Sequence, residues 1–425
     1  MRGADGSNEM QHEDTERAAQ ATALLKGMRV LSFCHYLQGP AAGQYLADMG
    51  ADVIKVEPIK GAFERHWSGA STFVGDVSAF FVSANRNKRS LALDLKHPEA
   101  RVVLERLIAS ADAVIENYRP GVMQRLGLGY DDMARINPAI IYASATGFGS
   151  SGPARDRPGQ DLLVQARSGL IAATGAAAPT GIGCAAVDQH GAALLAMGVA
   201  AAYAHKLATG KGTFIEGSLF NAGIDMQTEA LTLYYSGGYG NERFEREGHL
   251  VTWFHEAPYG VYRIADGTVA VSLNPVQRLA DALGSAALAA LAPLDPYAER
   301  DRIAAEVARE LAGWRWADLG PAFDAQGVWC ERVQTYDELR TDPQVIHNQI
   351  FEQIPIGGGE ATVVKHPLKF NGEVPPVRLL PPGLGEQSAQ ILQSLGFSAA
   401  EIDKLLEDKV VHAAESNANR KGKVA

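Results

Sequence analysis

Two aspartates are the residues of this chain whose type and placement could do chemistry. Asp188 lies in GCAAVDQHG, residues 183–191, directly ahead of an Ala/Leu/Met-rich stretch whose spacing predicts a helix to about Ala208, closed by Gly210. Asp161 precedes it in PGQDLLVQARSG, residues 158–169. Read from the residues alone, an aspartate just before a helix is an N-cap, its oxygen accepting backbone N–H groups that lack a partner inside the helix. The same physics suits a nucleophile, because a helix N-terminus stabilises negative charge and keeps a carboxylate ionised. Asp161 by itself reads as a solvated or helix-starting acid. His190 and His255 invite a hydrolase triad with Asp188, yet no GxSxG elbow accompanies them, and both read as local hydrogen-bonding residues.

The elements that must hold these groups follow from the hydrophobic pattern. MRVLSF, residues 28–33, suits a buried strand; residues 41–49 have helical spacing, ended by Gly50; DVIKVE, residues 52–57, is a second strand stopped by Pro58. Strand, helix, strand within ~30 residues is a βαβ unit and implies a parallel sheet. The pattern recurs: residues 90–95 alternate, 98–110 are helical, 113–116 form a strand, and Asn137-Pro138 breaks a helix before a strand at 140–144. The first 220 or so residues therefore read as an open α/β sheet of Rossmann type. No GxGxxG follows the first strand, so a dinucleotide is not indicated. Residues 257–272 read as two strands around an Asp266-Gly267 turn, followed by helical sequence to about Gln326. Farther on come a hairpin turn at Gly357–Gly359, a helix from about Ser388, and a last helix opened by the Ser398/Glu401 capping box.

Composition limits what such a fold can serve. At 425 residues the chain is long enough for two domains. A net charge of -10 argues against a general nucleic-acid or anionic-membrane binder. Cys34, Cys184 and Cys330 fit no zinc or CxxC spacing, so no metal site is expected, and a reduced cytoplasmic setting is the simplest reading. No signal peptide is visible at the polar N-terminus. The most apolar stretch, Ala192 to Ala204, is shorter than the ~20 residues a bilayer needs and reads as a buried helix.

Several blocks, taken in order, give the chain a family likeness. GMRVLSF (27–33) with Gly39-Pro40 comes first, then GADVIKVEP (50–58), NKRSLALDLK (87–96), ENYRPGVMQRLG (116–127), and PPGLGE (381–386) with LGFS (395–398). Together with the Asp161 and Asp188 segments they resemble the family III CoA-transferases, the group of formyl-CoA and carnitine CoA-transferases. The resemblance implies an α/β fold with a Rossmann-like large domain built from both chain ends and a smaller central α+β domain. The expected division is a flexible extension over 1–25, the large domain over 26–220, a linker over 221–253, the small domain over 254–333, a linker and the rest of the large domain over 334–411, and a flexible tail over 412–425. It also implies a homodimer in which two ring-shaped subunits interlock.

For function, the resemblance implies that Asp188 is a nucleophile taking an acyl group from a coenzyme A thioester, with CoA passed to a small carboxylic acid. CoA is then a substrate, and no permanently bound cofactor is expected. Asp161 aligns with an active-site carboxylate of formyl-CoA transferases and would position or tune Asp188. CoA carries phosphates and an adenine, which call for cations, amide donors and a flat face. Arg86, Lys88, Arg89, Lys96 and Arg125 are the candidate cations. Leu93, Lys96, Asn117 and Tyr118 fall on family contact positions, Tyr118 placed to pack on adenine, and Arg89 and Arg125 complete the expected set. Three positions depart from the family patterns. Pro58 stands where formyl-CoA transferases have an arginine, and Trp253–Ala257 occupies the region of their glycine-rich loop. Gln160 stands where the related racemases carry a histidine. A 2-methylacyl-CoA racemase is an alternative reading, but it needs two groups able to remove and return an α-proton, which glutamine is not. A non-catalytic CoA-binding protein is a third reading, since a cap could also retain Asp188.

Overall fold

A computed structural model describes residues 16–176 and 178–414. Of the expected flexible ends, residues 1–15 and 415–425 lie outside the described residues. Regular structure is described within the remainder of each. Residues 16–22 are helical, with the Thr22 hydroxyl donating to the Ala18 carbonyl at 2.7 Å, and a strand runs on through His412. Two compact units divide the chain: one draws on Met1–Gln160, Val187–Ala222 and Pro343–Ala425, the other on Asp161–Ala186 and Gly223–Asp342.

The first unit holds a seven-stranded sheet of β1 (Arg29–Phe33), β2 (Asp52–Glu57), β3 (Lys88–Leu93), β4 (Ala113–Glu116), β5 (Ile141–Thr146), β6 (Thr213–Ser218) and β7 (Val411–His412), in the order β7-β3-β2-β1-β4-β5-β6. Strands β1 to β6 are parallel, with Val30 opposite both Val53 and Ala113; β7 is antiparallel, Val411 lying opposite Leu93. Both faces are covered, which is why the strands read as nearly continuous apolar runs. Leu31 and Phe33 join a core with Val103, Leu107, Ile391 and Leu392 on one face. Val30, Ile115 and Ala143 meet Ala42, Leu46, Leu195 and Val199 on the other. The chain order reverses between β1 and β4, and doubly wound sheets take ligands in the crevice at the carboxyl ends of such strands.

The helix behind Asp188 is longer than its apolar centre suggested. It runs Ala186–Thr209, 24 residues, and by length and composition it could cross a membrane. Its buried stripe, which includes Ala192, Leu195, Ala196 and Val199, packs on the sheet. Gly210, at φ +73°, ends it as expected.

In the second unit, Gly260–Ile264, Gly267–Val271 and Cys330–Arg332 form an antiparallel sheet with the middle strand second in sequence. Helices Val276–Leu283, Ala286–Leu291, Arg300–Leu311 and Trp316–Gln326 cover it through Leu279, Leu288, Val307 and Phe323. Residues 221–253 include a helix, Thr228–Ser236.

One backbone crossing fixes the carboxyl end of β5. A Cβ on Gly147 would fall 2.5 Å from the Gly159 Cα, and one on Gly159 would fall 2.3 Å from the Gly147 Cα. Gly147→Ala should therefore destabilise the protein by roughly 1–3 kcal/mol, as overpacking does. Gly198→Ala, in the long helix with an ordinary 3.7 Å contact to Ile215, should be neutral or stabilising by up to about 1 kcal/mol. Urea unfolding of the two variants checks this; equal midpoints would show that the crossing yields freely.

Candidate active site

The loop leaving β1 is held from three sides. Lys55, on β2 and buried, donates to the Cys34 carbonyl at 2.8 Å and to Glu64 Oε1 at 2.9 Å. Beneath it the Cys34 thiol donates to the Ile115 carbonyl at 3.2 Å, and burial pushes that thiol up to about 12, so it is inert. Gly39 has to be bare here, because a Cβ would sit 2.6 Å from the Cys34 sulfur. Just past β4, the Asn117 amide clamps His35 in both directions: its Nδ2 donates to the His35 carbonyl at 2.8 Å and its Oδ1 accepts from the His35 N–H at 2.9 Å.

The rings of His35 and Tyr118 lie 5.2 Å apart at this reversal point. Burial lowers the His35 pKa, so the imidazole is neutral near pH 7. Burial likewise raises Tyr118 to about 12 and raises Glu116, whose Oε2 accepts from the Tyr118 N–H at 2.9 Å. The crevice is therefore lined by uncharged rings.

Asp188 is not an N-cap in this fold. The helix begins at Ala186, so Asp188 is its third residue, still within the turn whose N–H groups concentrate positive potential. Extra length at the N-terminus explains the difference: Val187 is fully buried and draws the start of the helix onto the core. One turn on, a Cβ at Gly191 would fall 2.6 Å from the Gln38 Nε2, so Gln38 lies against the bare glycine. Residues three apart share a helix face, which brings Asp188 toward the loop that carries His35. Tyr45 Oη also donates to Gln189 Oε1, at 3.4 Å.

Asp161 opens the Asp161–Arg167 helix of the second unit. Its carboxylate accepts from Gln165 Nε2, and the buried Gln165 also accepts from the Ile182 N–H at 2.9 Å. Gln165 thus ties Asp161 to the segment that leads into the Asp188 helix. Gln160 is exposed. His255 bonds locally as expected, its Nδ1 2.8 Å from the Thr252 hydroxyl. In the Trp253–Ala257 segment, Trp253 is buried among the rings of Tyr234, Tyr239 and Phe244.

The candidate cations separate into two groups. Arg86 is buried on Asp48 at 2.6 Å, Lys88 is buried with its ammonium on the Pro40 and Ala84 carbonyls and Asn85 Oδ1, and Arg89 grips Asp52 at 2.8 and 2.6 Å. These three hold the fold together. Leu93 is wholly inside the core. Lys96 and Arg125 are exposed, and Arg125 has a neighbour that the sequence reading did not single out. A Cβ on Gly121 would sit 3.2 Å from Arg125 Nη1 and 3.6 Å from Arg155 Nη2. The only hint of Arg155 in the sequence is the ARDR run at 154–157. Among the described residues no group of His, Cys, Asp and Glu is arranged to hold a metal ion.

A profile of CoA-transferase family III matches residues 25–388. The chain belongs to CoA-transferase family III. It is 31% identical over 406 residues to the succinyl-CoA–D-citramalate CoA-transferase of Chloroflexus aurantiacus, covering 91% of this chain and 98% of that one. Human succinyl-CoA:glutarate CoA-transferase is 31% identical over 409 residues, with 92% and 91% covered. A CaiB/BaiF family protein from Brucella suis has a similar crystal structure, with a TM-score of 0.77 at 29% identity over 87% of this chain and 99% of that one. The protein is accordingly an enzyme of transferase type, with the mixed α/β fold and large parallel sheet of these neighbours.

The transferase keeps a carboxylate ionised at the same sheet edge for a structural purpose. Glu57 is buried, which by itself raises its pKa, but two 2.7 Å bonds and the charge of Arg65, with Lys55 and Ser90, outweigh burial and hold it below the usual 4.5. A carboxyl held low contributes stability that is fully present above its unfolded value and is lost as pH falls through its lower folded value. Glu57→Gln should therefore be less stable at neutral pH and lose less on acidification below about 4.5. Chemical unfolding at stepped pH checks this, and identical acid limbs would show that Glu57 contributes nothing there.

Proposed function

We propose that this family III transferase moves CoA from an acyl-CoA thioester to a free carboxylic acid through a covalent intermediate on Asp188. The observation that carries the reading is the position of Asp188, third in a 24-residue helix and one turn from the glycine that packs on Gln38. A carboxylate there is stabilised as the anion that attack requires.

In the first step an Asp188 oxygen attacks the thioester carbonyl carbon, the C–S bond breaks, and CoA leaves as the thiolate. The product is a mixed anhydride. The thiolate then attacks the aspartyl carbonyl and displaces the first acid as its carboxylate, leaving an aspartyl-CoA thioester. The acceptor carboxylate enters, and the same two steps in reverse return Asp188 and release the new acyl-CoA. Backbone N–H groups at the helix start would hold each developing oxyanion. Asp161 acts through Gln165 on the segment entering the helix and takes no part in attack. Tyr118, Lys96 and Arg125 offer the nucleotide a ring and cations, while Asn117 serves by fixing His35.

The reading includes a large domain drawn from both chain ends, a small central domain, and two subunits interlocked as a homodimer in the cytoplasm. The names of the relatives support the class of substrate: an acyl-CoA and a small carboxylic acid.

Asp188→Ala should lower CoA transfer on the order of 10³-fold or more, as loss of a nucleophile does. Hydroxylamine added to the wild-type protein with acyl-CoA should leave a hydroxamate on Asp188, found by peptide mass. The assay is run in D₂O with a panel of acyl-CoAs and acids. Undiminished transfer by Asp188→Ala would sink the mechanism. Deuterium gained by a 2-methylacyl-CoA without any new acyl-CoA would identify a racemase.

A further inference from the structure

We propose that a row of aromatic side chains beside the β1 loop selects an aromatic or bulky apolar acid as the acyl group of this transferase. This rests on the reading of Asp188 as nucleophile. The row starts in the crevice. From His35 it passes to Tyr36 at 5.2 Å, then Phe63 at 5.6 Å, Trp67 at 5.7 Å and Phe80 at 4.9 Å, measured between successive ring centres. Its inner end is anchored by the Asn117 clamp on His35.

Three observations point to a ligand. The rings are open: Tyr36 is 48% exposed, Phe63 52%, Trp67 46% and Phe80 42%. A contiguous apolar surface of this kind marks a binding site, whereas scattered exposed residues do not. Tyr36 holds a φ of +61°, a region bulky side chains rarely adopt, in the short loop just before the helix Gln38–Asp48, whose Gln38 meets the Asp188 helix. The acyl carbon has to reach Asp188, so an acyl tail extending along this loop meets rings.

The third observation is charge. A dicarboxylic acid needs a cation for its second carboxylate. The two cations that meet Phe81, the residue next to Phe80, are both neutralised: Lys55 by Glu64, and Arg65 by two bonds to Glu57. Along the row itself the rings supply the area, which takes flat or branched hydrocarbon, while the exposed Lys60, three residues before Phe63, is the cation on which a dicarboxylic acid would call.

The test uses the full-length protein with phenylacetyl-CoA, succinyl-CoA and free CoA, with binding measured by calorimetry and transfer measured to phenylacetate and to succinate. Phenylacetyl-CoA should bind about tenfold or more tighter than succinyl-CoA, the range expected for filling an apolar pocket. Trp67→Ala and Phe63→Ala should each remove most of that preference, Trp67→Phe should keep it, and free CoA should bind all three alike. Succinyl-CoA binding as tightly or tighter, with Lys60→Ala as the damaging change, would overturn the proposal in favour of a dicarboxylic acid. So would a Trp67→Ala protein that loses its oligomeric state but keeps its ligand preference, since the row would then be a face between copies. Preference without transfer to any acid would leave the row standing and remove the Asp188 reading instead.

Discussion

An ammonium and a carboxylate, Lys55 and Glu64, face each other at 2.9 Å with each side chain only 1% exposed. Removing one member of such a pair strands a charge in the interior, which typically costs about 3–5 kcal/mol. The pair therefore fixes where Glu64 and its segment can lie, and Lys55 uses a second bond to fix the Cys34 carbonyl. From there the dependence spreads. The Cys34 position sets His35, which Asn117 locks from just beyond β4, and sets Gly39, second in the helix Gln38–Asp48 whose first residue meets Gly191 of the Asp188 helix. A few buried charges thus determine the geometry of a crevice whose rings are themselves uncharged.

The pattern of the sheet could be read in the sequence because it depends on local periodicity and on punctuation. Asp52–Glu57 and Ala113–Glu116 are the observed bounds of β2 and β4, and the Ser398/Glu401 capping box is formed as its spacing demands. Strands that exist only by pairing left no such trace. Cys330–Arg332 and Val411–His412 are too short to show alternation, and each is a strand because a partner edge lies beside it.

The site was less legible, for a different reason. In the run RNKRSLALDLK, residues 86–96, a cation for phosphate and a cation for Asp48 or Asp52 look alike, because the difference lies in partners distant in sequence. Asp188 was recognisable as a helix-start acid, yet its place inside the first turn depended on burial of Val187. The aromatic row comes from residues 36, 63, 67 and 80, spaced with no period, and only the fold makes them neighbours.

The outermost strand has a consequence for how the chain is made. β3 is the edge of the parallel sheet until β7 covers it, and β7 comes late after it in the chain, with Val411 opposite Leu93. While the protein is being synthesised, that edge carries unpaired N–H and C=O groups from the emergence of β3 until β7 follows, with the helices Ser388–Ser394 and Ala399–Glu407 still to come before it. Most of the sheet's interior can assemble early, but this border closes only once Val411 and His412 have emerged. A premature stop a few codons before Val411 would thus leave the same raw edge that a nascent chain presents, and chaperones would have to shield it permanently.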